Sequence, residues 1–179
     1  MERYAAFLRG MNLGGRRIKN DELRLPFEAL GFDDVATFRA SGNVVFGADE
    51  GDADELTTKI EATLAEELGY AVPVFLRSAD ELLAIAVHDP FKPGQVEASA
   101  GKLQVALLPV KPTAKARKEA LALASDEDRL AIRGRELFWL PSGGISDSAL
   151  DLKTIESLLG PWTMRTMGTV EQIAAKHFG

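Results

Sequence analysis

One stretch of the chain concentrates groups suited to holding an anion: Arg9-Gly10-Met11-Asn12-Leu13-Gly14-Gly15-Arg16-Arg17-Ile18-Lys19. It contains Gly10, Gly14 and Gly15 and the cations Arg9, Arg16, Arg17 and Lys19, with no acidic residue, in a chain whose formal net charge is -6. Glycines let backbone amides turn inward, and amides and cations beside a helix start suit a phosphate or a carboxylate. A second short motif, Ser41-Gly42-Asn43, reads as the reversal between two strands. Its structural reading is simple, because glycine and asparagine tolerate positive φ in a tight two-residue hairpin. Likewise, Gly14-Gly15 can serve only to reverse the chain, and Asn20 only to cap a helix. The loop has neither the Walker lysine spacing nor a G-x-G-x-x-G pattern, so it specifies no cofactor.

The elements that must position these motifs follow from periodicity. A strand is predicted over Arg3–Arg9, a helix near Asn20–Leu30, and strands over Val35–Ala40 and Asn43–Phe46. A long helix from about Asp52 to Leu68 carries Leu56, Ile60, Leu64 and Leu68 on one stripe and ends at Gly69, before a strand over Val72–Arg77. The order is βαββαβ, the ferredoxin-like arrangement. In that fold the first two strands run parallel with the third between them. The loop after the first strand and the hairpin after the second therefore share one end of the sheet. Arg9, Asn12, Gly14, Gly15, Lys19, Ser41 and Asn43 are the candidate ligand-binding residues, and Arg39 lies beside them.

The second half repeats the order. Strands are predicted over Leu103–Pro109, Arg129–Arg133, Glu136–Leu140 and Thr163–Thr166, with helices over Thr113–Ala124 and Ser148–Leu159. Each half ends in one more helix, Ala79–Val87 and Val170–Phe178. A constant offset of 91 places Leu64 on Ile155, Leu68 on Leu159, Gly69 on Gly160, Ser78 on Thr169 and Glu81 on Gln172. Ser78-x-x-Glu81 and Thr169-x-x-Gln172 both read as capping boxes. The expected class is α+β, a tandem pair of ferredoxin-like subdomains each followed by an extra helix. Residues 1–90 and 102–179 are the two subdomains and 91–101 the linker. Pro26 predicts an irregular first helix, since it removes one helical hydrogen bond.

Composition bounds the function. With 46% hydrophobic and 27% charged residues, the chain is an ordinary globular one. Without cysteine it has no disulfide, thiolate nucleophile or cysteine-ligated metal site. It has no leader pattern and no apolar run of bilayer length, so a cytoplasmic location is expected and no membrane partner. The acidic balance argues against general nucleic-acid binding. Asp49, Glu50, Asp52, Asp54 and Glu55 read as a solvated helix entrance.

Other candidate chemistry is thin. His88 and His177 each close a terminal helix, where a cationic imidazole suits the dipole, and no metal-ligand spacing accompanies them. The Pro141–Ser148 loop lacks the nucleophile-elbow pattern, and Ser148-x-x-Asp151 reads as a cap. Trp139 and Trp162 read as core aromatics. An RNA-recognition sheet, also βαββαβ, would need more aromatics than Asn43-Val44-Val45-Phe46 supplies.

Leu8-Arg9-Gly10-Met11-Asn12-Leu13-Gly14-Gly15, Glu22-Leu23-Arg24 and Ser41-Gly42-Asn43-Val44-Val45-Phe46 together resemble bacterial domain-of-unknown-function family 1697. Asp89-Pro90-Phe91 resembles its mid-chain Asn-Pro-Phe. Thr163-Met164-Arg165-Thr166-Met167-Gly168-Thr169-Val170 departs from its Thr-x-Arg-Asn-Trp-Asn-Thr-Val. The resemblance implies the fold and carries no activity. The leading expectation is a binding module for an anionic small molecule or nucleotide. An enzyme acting on a phosphorylated or carboxylated metabolite, a protein-interaction scaffold and an RNA-binding protein are the alternatives. Neither the ligand nor the oligomeric state is encoded legibly.

Overall fold

The computed structural model describes residues 1–11, 18–39, 42–49 and 51–179. Among these residues, eight strands form two four-stranded antiparallel sheets. The first half runs β1 (Glu2–Leu8), α1 (Asn20–Ala29), β2 (Asp33–Thr37), β3 (Asn43–Ala48), α2 (Ala53–Leu68), β4 (Val74–Ser78) and α3 (Ala79–Val87). After α4 (Pro93–Ala98) come β5 (Gln104–Leu107), α5 (Ala114–Leu121), β6 (Asp128–Arg133) and β7 (Glu136–Pro141). The chain ends with α6 (Leu152–Leu159), β8 (Thr163–Thr166), α7 (Met167–Ile173) and a π-helical turn over Ala174–Phe178. The strand orders β2-β3-β1-β4 and β6-β7-β5-β8 are the same topology twice, a tandem of ferredoxin-like sheets with helices. Contacts divide the chain into two compact units, Met1–Ile85 with Ile173–Gly179, and Ala86–Gln172. The final turn and His177 thus belong to the first unit and His88 to the second, whereas the sequence reading grouped each with the other half.

In the first unit, Leu23 and Phe27 of α1 and Leu56, Ile60 and Leu64 of α2 pack on Tyr4, Ala6, Leu8, Val44 and Phe46. Phe46 is the hub, with its ring 4.4 Å from that of Phe32, 5.6 Å from Phe27 and 5.7 Å from Tyr4. Burying each such side chain contributes roughly 1.5–3 kcal/mol. In the second unit, Ala120, Ile155 and Leu159 cover Ala106, Leu108, Ile132 and Leu137 in the same way. Every residue of β3 is buried, so that strand offers no ring for base stacking.

Several local expectations are corrected. Helix α1 runs through Pro26 unbroken. The carbonyl that loses its partner belongs to exposed Glu22 and the helix stops at Ala29, while Pro26 itself is buried in the core. Lys19, not Asn20, is the N-cap of α1, and it makes no side-chain cap bond. At α2 the helix-entrance reading holds at Asp52, whose Oδ1 accepts from Asp54 N at 3.2 Å. Helix α6 begins at Leu152 behind Asp151, which accepts from Thr154 N. Ser148 instead donates to buried Asp128 at 2.7 Å, and the Trp139 indole donates to the same oxygen at 2.9 Å. The segment expected as a linker carries α4 and is tied to the end of β7. Ser99 Oγ donates to the Pro141 carbonyl, and Ala100 N donates to Ser142 O at 3.2 Å.

The internal repeat slips by three residues. Gly69 and Gly160 end equivalent helices with the same bond, Gly69 N to Ala65 O and Gly160 N to Glu156 O. Eight residues then separate Gly69 from Ser78, which caps α3 reciprocally with Glu81. Only five separate Gly160 from Thr166, whose Oγ1 accepts from Thr169 N at 3.2 Å. The second cap is therefore Thr166, not Thr169, and the offset falls from 91 to 88 across that loop. In the corrected register Arg77 matches Arg165. Arg77 is buried and Arg165 half-buried, and each donates through Nη1 to the preceding carbonyl at 2.9 Å, Leu76 O and Met164 O. Burial lowers the Arg165 guanidinium pKa to about 10, which leaves it charged at neutral pH.

Candidate functional site

The rim of the first unit is built by two reversals that touch. Strand β1 lies between β3 and β4, with Phe7 opposite Asn43 and Leu8 opposite Val74. As β1 ends, Leu8 N donates to Gly42 O at 2.9 Å and Arg9 N donates to Pro73 O at 3.0 Å. Gly10 then takes φ 76°, turning the chain, and Met11 tucks into the core. Gly42 also has φ 76°, and a Cβ there would stand 2.8 Å from Met11 Cγ and 3.2 Å from Leu8 Cβ. Only glycine meets both demands, a left-handed backbone and the approach of the neighbouring loop.

Asn43 is 1% exposed, and its side-chain amide donates to Phe38 O at 2.9 Å while Phe38 N donates to Asn43 O at 3.0 Å. The loop is thus closed by Phe38 and Asn43 rather than being a two-residue turn. The side chain of Asn43 is committed to that closure. Arg39 sits in the left-handed region at φ 60°, uncommon for a residue with a β-carbon, and its guanidinium lies 5.3 Å from the Phe38 ring centre. Arg9 is half-buried beside β4, and Lys19 is exposed at the start of α1. Asn12, Gly14, Gly15 and Ser41, the other sequence-derived candidates, lie outside the described residues, as do Arg16 and Arg17.

Two features escaped the sequence. Glu61, half-buried in α2, has its carboxyl pushed above the usual carboxylate range by desolvation, opposed by a hydrogen bond from the backbone of Val74. Val74 is the partner of Leu8, which puts Glu61 at the same end of β4 as Arg9. In the sequence it is one acid among many on a helix; only the fold singles it out. The second feature is an open groove of about 710 Å³ in the second unit, lined by Pro90, Phe91, Gln95, Asp126, Arg129 and Leu130 along edge strand β6.

The histidines also differ from expectation. Desolvation, followed by Arg133, lowers the pKa of His88, against a smaller pull from Asp89; its ring lies 5.2 Å from that of Phe138. Desolvation, followed by Lys176 and Arg3, lowers that of His177. Both environments favour the neutral imidazole rather than the cation that a helix end would draw. Among the described residues there is no cluster of His, Asp and Glu able to hold a metal ion, and no helix long and apolar enough to cross a membrane.

The family model described as "Protein of unknown function (DUF1697)" matches residues 1–138. Among solved structures, the conserved bacterial protein SP0830 from Streptococcus pneumoniae superposes with a TM-score of 0.71 at 21% identity, covering 97% of each chain. That likeness concerns the fold. No curated protein matches the chain.

Proposed function

Taking as premise that this chain belongs to the family described as "Protein of unknown function (DUF1697)", we propose that it is a cytoplasmic binding module for an anionic small molecule or nucleotide. The ligand sits at the basic, glycine-rich loop 9–19 against the hairpin 38–43. One observation supports this most: the chain reversals after β1 and after β2 are in contact, through Leu8 N to Gly42 O and Gly42 against Met11. In this reading Arg9, Asn12, Gly14, Gly15, Lys19 and Ser41, the candidates of the sequence, surround the ligand. Asn43 holds the hairpin in shape. The cysteine-free composition suits a reducing cytoplasm.

Binding to the folded state alone raises stability, by about 2.7 kcal/mol at ligand concentrations 100 times Kd. Inorganic phosphate or a phosphate-bearing nucleotide should therefore raise the melting temperature. Arg9→Ala and Lys19→Ala should each abolish the shift. A shift that survives both substitutions places the ligand elsewhere.

The raised carboxyl of Glu61 favours a second reading, an enzyme acting on a phosphorylated or carboxylated metabolite. There Glu61, at the same end of β4 as Arg9, is the proton donor or acceptor, since a carboxyl whose proton is held more tightly by burial is suited to that work. Turnover of a phosphorylated or carboxylated metabolite by the native chain, lost in Glu61→Gln with the ligand shift kept, establishes the enzyme; a ligand shift without turnover in the native chain leaves the binding module.

A further inference from the structure

The C-terminal turn brings a second set of anion-holding groups to the same hairpin. Residues Ile173–Gly179 belong to the first unit, and their last turn, Ala174–Phe178, is π-helical, a rare geometry found most often at functional sites. It places Lys176 Nζ 6.0 Å from the centre of the Phe38 ring and the His177 ring edge-on to it, centroids 6.5 Å apart at 89°. Arg39 approaches the same ring at 5.3 Å. His177 Nε2 is shut off from solvent with no hydrogen-bond partner among the described residues. A buried polar nitrogen in that state normally costs stability, so its retention asks for an explanation. Arg39 adds another, since a residue with a β-carbon stays in the left-handed region only where its surroundings hold it there.

From Phe38, Arg39, Lys176 and His177 we infer a second anion position on the outer side of the hairpin, so that the ligand of this unit carries at least two anionic groups, as an oligophosphate does. The inference rests on the anion-binding reading of loop 9–19. The hairpin links the two positions: Leu8 bonds Gly42, and Asn43 bonds Phe38 in both directions. Two strand spacings, roughly 10 Å, separate their backbones, and long cationic side chains can close much of that distance. Lys176 and Arg39 supply charge, and Phe38 holds both beside the His177 ring.

Isothermal titration of the whole chain with inorganic phosphate and with tripolyphosphate tests this. The native chain should bind tripolyphosphate about ten-fold or more tightly than phosphate, the effect of an added charge-assisted contact. Lys176→Gln combined with Arg39→Gln should bring the two affinities together. Lys176→Gln alone, which leaves the hairpin intact, should remove part of the preference. Equal affinities in the native chain, or a preference that survives the double substitution, overturns the second position while phosphate still bound in an Arg9-dependent way leaves the first standing. Loss of all phosphate binding by the native chain overturns both.

Discussion

The two units share a frame and differ at one corner. In each, a residue at the end of the first strand donates to the last residue of the hairpin loop: Leu8 N to Gly42 O at 2.9 Å, and Leu108 N to Arg135 O at 2.8 Å. Contact between these reversals is therefore a property of the topology, present in both units. What differs is the chemistry laid on it. In the second unit the connection from β5 to α5 is short, Leu108-Pro109-Val110-Lys111-Pro112-Thr113, and its two prolines have no amide to offer. Its hairpin is a tight Gly134-Arg135 turn. In the first unit the connection runs from Arg9 to Lys19 with three glycines, four cations and no proline, and its hairpin is longer. The frame is repeated, whereas a connection rich in glycine and cations belongs to the first unit's sequence alone.

Substitutions at the glycines of the two hairpins probe this difference most strongly. Gly42→Ala places a Cβ against Met11 and Leu8 at positive φ, and we expect a loss of about 2–3 kcal/mol with loss of phosphate binding. Gly134→Ala at φ 57° meets nothing closer than 3.9 Å and should cost only about 1 kcal/mol, leaving binding unchanged. Denaturant unfolding of both variants measures the pair; equal losses would contradict the contact at Gly42.

Asp128→Ala acts on the second unit alone. It strips the acceptor from the buried Trp139 indole and from Ser148, and should cost about 2 kcal/mol while the phosphate-induced melting shift of the first unit is preserved. Loss of that shift would mean the corner depends on the second unit.

The smallest expected effect is in pH. Both histidines have pKa values lowered in the fold, so the unfolded chain binds more protons as pH falls through about 6.5, the unperturbed value. Stability should then decline below neutral pH and level off below the folded values. His177→Gln should remove the first unit's part of that decline and His88→Gln the second unit's. A stability profile flat between pH 7.5 and 5 would contradict both burial effects.

Much of the frame was legible because periodicity and capping are local. The stripe Leu56, Ile60, Leu64, the helix-ending Gly69 and Gly160, and the strand order follow from patterns a few residues long. The slip from 91 to 88 was not legible, because shortening the loop after Gly160 leaves two caps, Thr166 and Thr169, that read alike until hydrogen bonds choose between them. The exchange of the terminal histidines between units is likewise a tertiary fact: nothing in Ala174-Ala175-Lys176-His177-Phe178 says that it packs on Phe38. At the candidate site the contact of Leu8 with Gly42 was foreseeable from strand order. The commitment of the Asn43 amide to Phe38, and the place of Glu61, depend on side-chain placement that no spacing encodes.

The central claim is most directly tested by following backbone amide resonances while inorganic phosphate is added to the whole chain. The account predicts shifts confined to the amides of residues 8–19 and 38–43, with the equivalent amides at 108–113 and 133–136 unmoved. Shifts in the second unit's corner, or none in the first, would contradict it.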